Sequence, residues 1–271
     1  MFNWRYRFKD QTEFLSPEGP GFAWAPWKTF ELSGTQIKIK VPRHRTTHAN
    51  KSVNPSRAYR LDQLQNEYYQ RNGIRSCGCL IMSRSWQFYG PWFTGKKGTI
   101  RMAVTIVSPT DIPKGLNYFH PRAFEGGVSD FLTTEYGGQF SVTKGTQMWI
   151  APVNWAPRTD FPCIAARFDA SNTVVEHEGP DCYLFIPLSK HQLLRVSCQI
   201  SRNVILSDRV PEPTVDEWID LAPFLQLANQ VLDSVQVTLS PQAQDDQAEA
   251  LAGLEDKSLV KDFPPIQWLK K

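Results

Sequence analysis

Residues 79–107 read CLIMSRSWQFYGPWFTGKKGTIRMAVTIV, and the rest of the chain is organised around them. On the second half, Ile100, Met102, Val104 and Ile106 alternate with Arg101, Ala103, Thr105 and Val107. That period of two belongs to a β-strand with one buried face. On the first half, Trp86 and Phe88 share a face and Gln87 and Tyr89 lie on the other. The two runs flank Gly90-Pro91-Trp92-Phe93-Thr94-Gly95-Lys96-Lys97-Gly98, whose glycines and proline mark a turn. A β-hairpin follows, with Trp86 and Phe88 in the core. Trp92, Phe93, Lys96 and Lys97 are placed at an exposed tip.

Working outward, short strand-like segments recur between turn signals. Thr35 to Val41 places Ile37, Ile39 and Val41 inward and Lys38 and Lys40 outward. Beyond the hairpin, strands are expected at Gln139–Val142, Gln147–Val153, Cys163–Phe168, Thr173–His177, Cys182–Ile186, Leu193–Ile200 and Val235–Leu239. Such spacing predicts an α+β fold, an extended antiparallel sheet with a few helices packed on its faces. Twenty prolines and nine tryptophans agree with sheet and turns better than with long helices.

Helices are expected at three places. Leu61 to Arg71 puts Leu61, Leu64 and Tyr68 on one face and ends at Asn72-Gly73. A short helix around Ser129–Leu132 is suggested within Phe124–Tyr136. Thr214-Val215-Asp216-Glu217 has the form of a capping box before Trp218, Ile219, Ala222, Leu225, Ala228, Val231 and Leu232 at helical spacing, with Pro223 set to kink or split that helix. Residues 1–240 are read as one domain with an aromatic N-terminal arm. Residues 241–271 are read as an acidic, partly mobile tail, with 240–256 mobile or weakly helical and Phe263, Ile266 and Trp268 docking back.

A net charge of +3 conceals a strong asymmetry. Residues 1–100 hold 16 Lys and Arg against 6 Asp and Glu, whereas residues 101–271 hold 14 against 21. Lys38, Lys40, Arg43, Arg45, Lys51, Arg57 and Arg60 meet no acidic residue between Leu32 and Leu61. Arg43, Arg45, Lys51, Arg57 and Arg60 lie in a loop by composition, so they are expected to form a partner surface together with the hairpin tip. Their charge points to an acidic protein. A nucleic acid bound through the 38–60 run is the less favoured partner, because the remaining two-thirds of the chain is acidic. No apolar run reaches the length of a membrane span, and the N-terminus lacks a signal-peptide pattern, so a cytoplasmic protein is expected.

Chemical signatures are sparse. Cys77-Gly78-Cys79 has no second pair at zinc-finger spacing, and His44 and His48 fall in a loop, so no metal or other cofactor is assigned. There is no nucleophile elbow. The Gly95–Gly98 turn lies between strands and lacks the helix start that makes a phosphate site. An enzymatic alternative remains, a hydrolase using Cys163 or Cys182 with His177 and with Asp181 or Glu178 as orienting carboxylate, or a carbohydrate-binding protein using exposed tryptophans.

The order SGTQIKIKVP, a meander of strands, PLSKHQLLRVSCQIS, and then VDEWIDLAPFLQLANQVLDSVQVTL resembles the PsbP-like proteins, with a helix running into a strand at Leu232-Asp233-Ser234-Val235-Gln236-Val237. That resemblance implies an antiparallel sheet with helices on its faces. It also implies a role as a binding or assembly module, of the kind seen in some bacterial toxin-immunity proteins. It supplies no catalytic residue. The function expected is therefore that of a non-enzymatic bacterial binding module, an adaptor or an inhibitor.

Overall fold

The computed structural model describes residues 14–45, 51–64, 76–91, 94–175, 178–203, 216 and 218–268. Its centre is the expected hairpin. Strands β4 (Ser76–Tyr89) and β5 (Lys96–Pro109) pair antiparallel, with Trp86 opposite Ile100 and Phe88 opposite Gly98. Four more antiparallel pairings extend this hairpin. Adding β6 (Trp149–Arg158), β7 (Ala165–Asn172), β8 (Glu178–Pro187) and β9 (Leu193–Arg202) makes a six-stranded sheet ordered β4-β5-β9-β8-β7-β6. A second, mixed sheet holds β1 (Trp27–Leu32), β2 (Thr35–Lys40), β3 (Ala58–Tyr59) and β10 (Gln236–Thr238) in the order β10-β2-β1-β3. The fold is α+β and mostly sheet.

The β1–β2 turn shows how tightly local sequence sets register. Ser33 and Gly34 both have positive φ, at 48° and 84°, the pair of left-handed residues that a two-residue hairpin requires. Ser33 accepts the cost of that conformation because its hydroxyl takes the Leu61 N–H at 2.9 Å, while its own N–H donates to the Tyr59 carbonyl.

Three layers result. On one face of the large sheet, Met102, Val104, Ile106, Cys182, Leu184, Val196 and Cys198 pack against Phe30, Leu32, Ile37 and Ile39 of the small sheet and against α2 (Ala222–Asp233). The α2 contact depends on Gly98. A Cβ there would lie 2.6 Å from the Phe224 ring, which instead stacks on Phe88 at 4.1 Å between centroids. On the opposite face α1 (Pro121–Tyr136) presents Phe124, Val128, Phe131, Leu132 and Tyr136 to Phe168, Tyr183 and Phe185.

Helix α1 is much longer than the short segment expected. Pro121 occupies its first turn, where a missing N–H costs nothing, and the His120 side chain caps it by accepting from Arg122 N–H. Gly127 is there for packing, since a Cβ would meet the Tyr118 ring at 2.5 Å. Helix α2 also departs from the expectation. It begins at Ala222, with Trp218 to Leu221 outside it, so Pro223 sits in the first turn and neither kinks nor splits it. Asp220 helps start it by accepting the Ala222 N–H at 2.9 Å. Thr214, Val215 and Glu217 of the supposed capping box lie outside the described residues. So does most of the helix expected at Leu61–Arg71, of which Leu61–Gln63 form a short 3-10 turn.

Among the described residues, two expected strands are not formed as such, Gln139–Val142 and the Thr173–Val175 part of Thr173–His177. Gln139–Val142 contributes a single bridge, Phe140 to Gln147. Asn172 ends β7 in a turn, its Oδ1 accepting from the N–H groups of Val174 and Val175, and β8 starts at Glu178. Residues 240–256 carry α3 (Pro241–Leu251), whose cap is Ser240 accepting from Ala243 N–H. The chain then runs back across α1 and β6. Glu125 accepts from Val260 N–H, Trp155 Nε1 donates to the Val260 carbonyl, Ile266 N–H donates to Ala151, and Trp268 Nε1 donates to Thr133.

Candidate functional site

The outward face of the small sheet is polar and basic. Registers place Trp27 opposite Lys40 and Thr29 opposite Lys38, all on the side away from the core. In the turn just before β1, Trp24 is 97% exposed, and Trp27 is 49% exposed. Lys40 lies over the Phe22 ring at 5.2 Å and donates to the Ala23 carbonyl, which pins the aromatic turn to the strand. Trp24 and Val142 are the most exposed large apolar side chains among the described residues, and Trp24 alone of the two has a half-exposed tryptophan, Trp27, three positions away.

The basic run leaves this sheet and follows the open edge of β4. Arg45 N–H donates to Ser85, Val53 and Ser83 exchange backbone hydrogen bonds, and the His44 ring accepts from Ser85 N–H. Backbone groups that would leave an unpaired sheet edge are thereby covered. The side chains of Arg43, Arg45, Lys51 and Arg57 stay exposed, and none of them makes an ion pair among the described residues. Arg60 is exposed too, but it is engaged by Asp62 at 2.9 Å.

The hairpin tip is reshaped. Trp92 and Phe93 lie outside the described residues. Lys97 does not extend from the tip: it is 4% exposed, because the ladder steps from Phe88–Gly98 to Tyr89–Lys96 and leaves Lys97 as the extra residue of a bulge. Its stem runs beside Gly90, and burial lowers its pKa. Lys96 is half-buried and belongs to a different place, a cleft on the far face of the sheet.

That cleft, of about 310 Å³, is lined by residues from four strands, among them Lys96, Thr99 and Arg101 of β5, Gln199 of β9, Glu178 and Asp181 of β8, and Trp149 of β6. Pairing sets Arg101, Gln199 and Asp181 in one row across three adjacent strands. Asp181 is only 5% exposed. Its Oδ2 accepts from Tyr136 Oη at 2.7 Å, from Gln199 Nε2 at 3.2 Å and from Tyr183 Oη at 3.4 Å. The two tyrosine hydroxyls also bond to each other. Burial raises the Asp181 pKa to about 6, an effect the Tyr136 and Gln199 hydrogen bonds oppose and the nearby Glu135 and Glu178 carboxylates reinforce. Both tyrosines are held well above their usual range by burial and by the adjacent acid.

Sequence reading names Asp181 and Glu178 only as orienting carboxylates for His177 and starts the strand at Cys182, whereas it begins at Glu178 and carries Asp181 into a buried group with Tyr136 and Gln199. The one available signal is that Asp181 falls in phase with Tyr183 and Phe185, a carboxylate on a buried face.

The thiols are differently disposed. Burial pushes Cys163 to about 12 and Cys182 higher still, so both are protonated at neutral pH and lack the thiolate that nucleophilic catalysis uses. His177, their supposed base, lies outside the described residues. Among the described residues no group of His, Cys, Asp and Glu is arranged to hold a metal, and no helix is long and apolar enough to cross a membrane. In comparisons with known proteins the chain matches no protein family, no curated protein and no solved structure.

Proposed function

We propose that this chain is a non-enzymatic binding module that engages an acidic protein surface through the outward face of the small sheet and the basic strap that follows it. The observation that carries the reading is Trp24, almost wholly exposed, with Trp27 half exposed beside it and Lys38 and Lys40 across the neighbouring strand. A tryptophan supplies the buried anchor of an interface, and unpaired cations around it supply steering and register. Arg43, Arg45 and Lys51 extend the positive field towards the edge of β4, and Arg57 extends it beside β1. On this reading the protein does what PsbP-like proteins mostly do, which is to bind or assemble.

The test is affinity capture with in-cell crosslinking, followed by affinity measurements on the captured protein with purified chain. Trp24→Ala is expected to weaken the complex by about 2 kcal/mol or more, and the double reversal Arg43→Glu/Arg57→Glu to weaken it further and flatten its salt dependence. A complex indifferent to both variants sinks the proposal. So does a chain that binds single-stranded nucleic acid in preference to any acidic protein, the outcome that would return the basic run to the nucleic-acid reading.

A further inference from the structure

The cleft on the far face of the large sheet presents both signs of charge and joins none of them. The Asp181 carboxylate is satisfied by neutral donors alone, Tyr136, Gln199 and Tyr183. Glu178 accepts from Asn172 Nδ2 at 2.7 Å, again a neutral donor. Two cations, Lys96 and Arg101, line the same hollow, and neither makes an ion pair or side-chain hydrogen bond among the described residues. Burying a carboxylate without a counter-charge is costly, and the chain has cations close enough to share the cleft with it.

The strands account for the separation. Asp181 on β8 and Arg101 on β5 are two strands apart, with Gln199 of β9 directly between them. At about 4.8 Å per strand, their backbones stand roughly 10 Å apart. The floor between them is polar, with Thr99 and Ser201 in the next row and Trp149 packed on Tyr136 at 4.6 Å as a wall. A bound molecule can span what the side chains do not. Its ammonium group would give Asp181 and Glu178 the missing counter-charge, and its carboxylate would meet Arg101 and Lys96.

We infer that this cleft is a binding site for a small zwitterion of the α-amino-acid type. A volume of about 310 Å³ suits a ligand of that size and lies at the lower end of small-molecule sites. The site is separate from the protein-binding surface proposed above, since the small sheet covers the other face of the large sheet.

The experiment is isothermal titration of the full-length chain with each standard L-α-amino acid, and then with the N-acetyl and carboxamide forms of any that binds. Saturable binding of at least one amino acid is expected. Asp181→Asn and Arg101→Ala should each weaken it about tenfold or more, and blocking either charged end should weaken it as much. Melting curves establish that both variants fold. Trp24→Ala should leave this binding unchanged, which keeps the outcome independent of the protein partner. No saturable binding up to about 10 mM overturns the inference. So does equal binding of the N-acetyl or carboxamide form, or binding that survives both cleft variants.

Discussion

The two faces of the six-stranded sheet are built from the same strands and are chemically unlike. The face under the small sheet and α2 is a continuous apolar layer, from Trp86 and Phe88 on β4 through Met102, Val104, Val196 and Cys198 to Leu184 on β8. Under α1 the other face is apolar towards β7, where Tyr183 and Phe185 meet Phe131 and Phe168 stacks on Phe185, and at the Val107 and Leu193 ends of β5 and β9. Along the rest of β5 and β9 it turns polar: Thr99, Arg101, Thr105, Arg195, Ser197, Gln199 and Asp181 share it. Arg195 lies over the Phe131 ring at 4.9 Å and donates to Thr105, closing the apolar half off from the polar half. One face therefore supplies stability, and the other gives some of it up to hold a charged group where a ligand can reach it.

Breaking the apolar face should give the largest effect. Phe224→Ala removes the ring that stacks on Phe88 above Gly98, and is expected to cost about 3–5 kcal/mol in chemical denaturation. A loss under about 1 kcal/mol would mean α2 is not seated as described.

The polar face should respond in the opposite direction. The folded-state pKa of Asp181 is raised to about 6 from an ordinary 3.8, so between these values the folded chain holds the proton more tightly than the unfolded one. Stability contributed by this group is therefore present below about pH 4 and is lost as pH rises through about 6. Asp181→Asn is expected to stabilise the protein by about 1–2 kcal/mol at pH 7, with the gain vanishing near pH 4. Melting temperatures of the two proteins across that range check it, and equal curves at both ends would refute the buried charge.

A finer probe is Tyr136→Phe, which removes the shortest hydrogen bond to that carboxylate. It should cost about 1 kcal/mol at pH 7 and raise the Asp181 pKa further, measurable by carbon-detected titration of the side chain. The smallest stability effect belongs outside both faces. Trp24→Ala should change the unfolding free energy by less than about 0.5 kcal/mol while weakening partner capture.

How much of this was readable beforehand depends on the range of the interaction concerned. Period-two alternation at Ile100–Ile106 and Ile37–Val41 announced strands because the burial of one face is recorded in neighbouring residues. Helix α1 was harder to see, since Pro121 and Gly126-Gly127 look like breakers until the first turn of the helix and the Tyr118 ring against Gly127 are known. Exposure of Arg43, Arg45, Lys51 and Arg57 followed from composition, but the place of Arg45 beside β4 and of Arg57 beside β1 came from backbone pairing with distant strands. Lys97 was misplaced because a single extra residue in a ladder reverses which side of the strand a side chain takes.

The sequence by itself determined the hairpin at 79–107, the α+β class and the imbalance of charge between the first hundred residues and the rest, because each depends on local pattern or composition. Only the tertiary structure decided that Asp181, Tyr136 and Gln199 meet, that Lys96 and Arg101 face them unpaired, and that Trp24 is left in solvent. Of these, the cleft residues are as much as 103 positions apart, from Lys96 to Gln199, and strand order is what brings them together. No local period encodes which strand becomes whose neighbour, since that choice is made by the burial of the whole sheet.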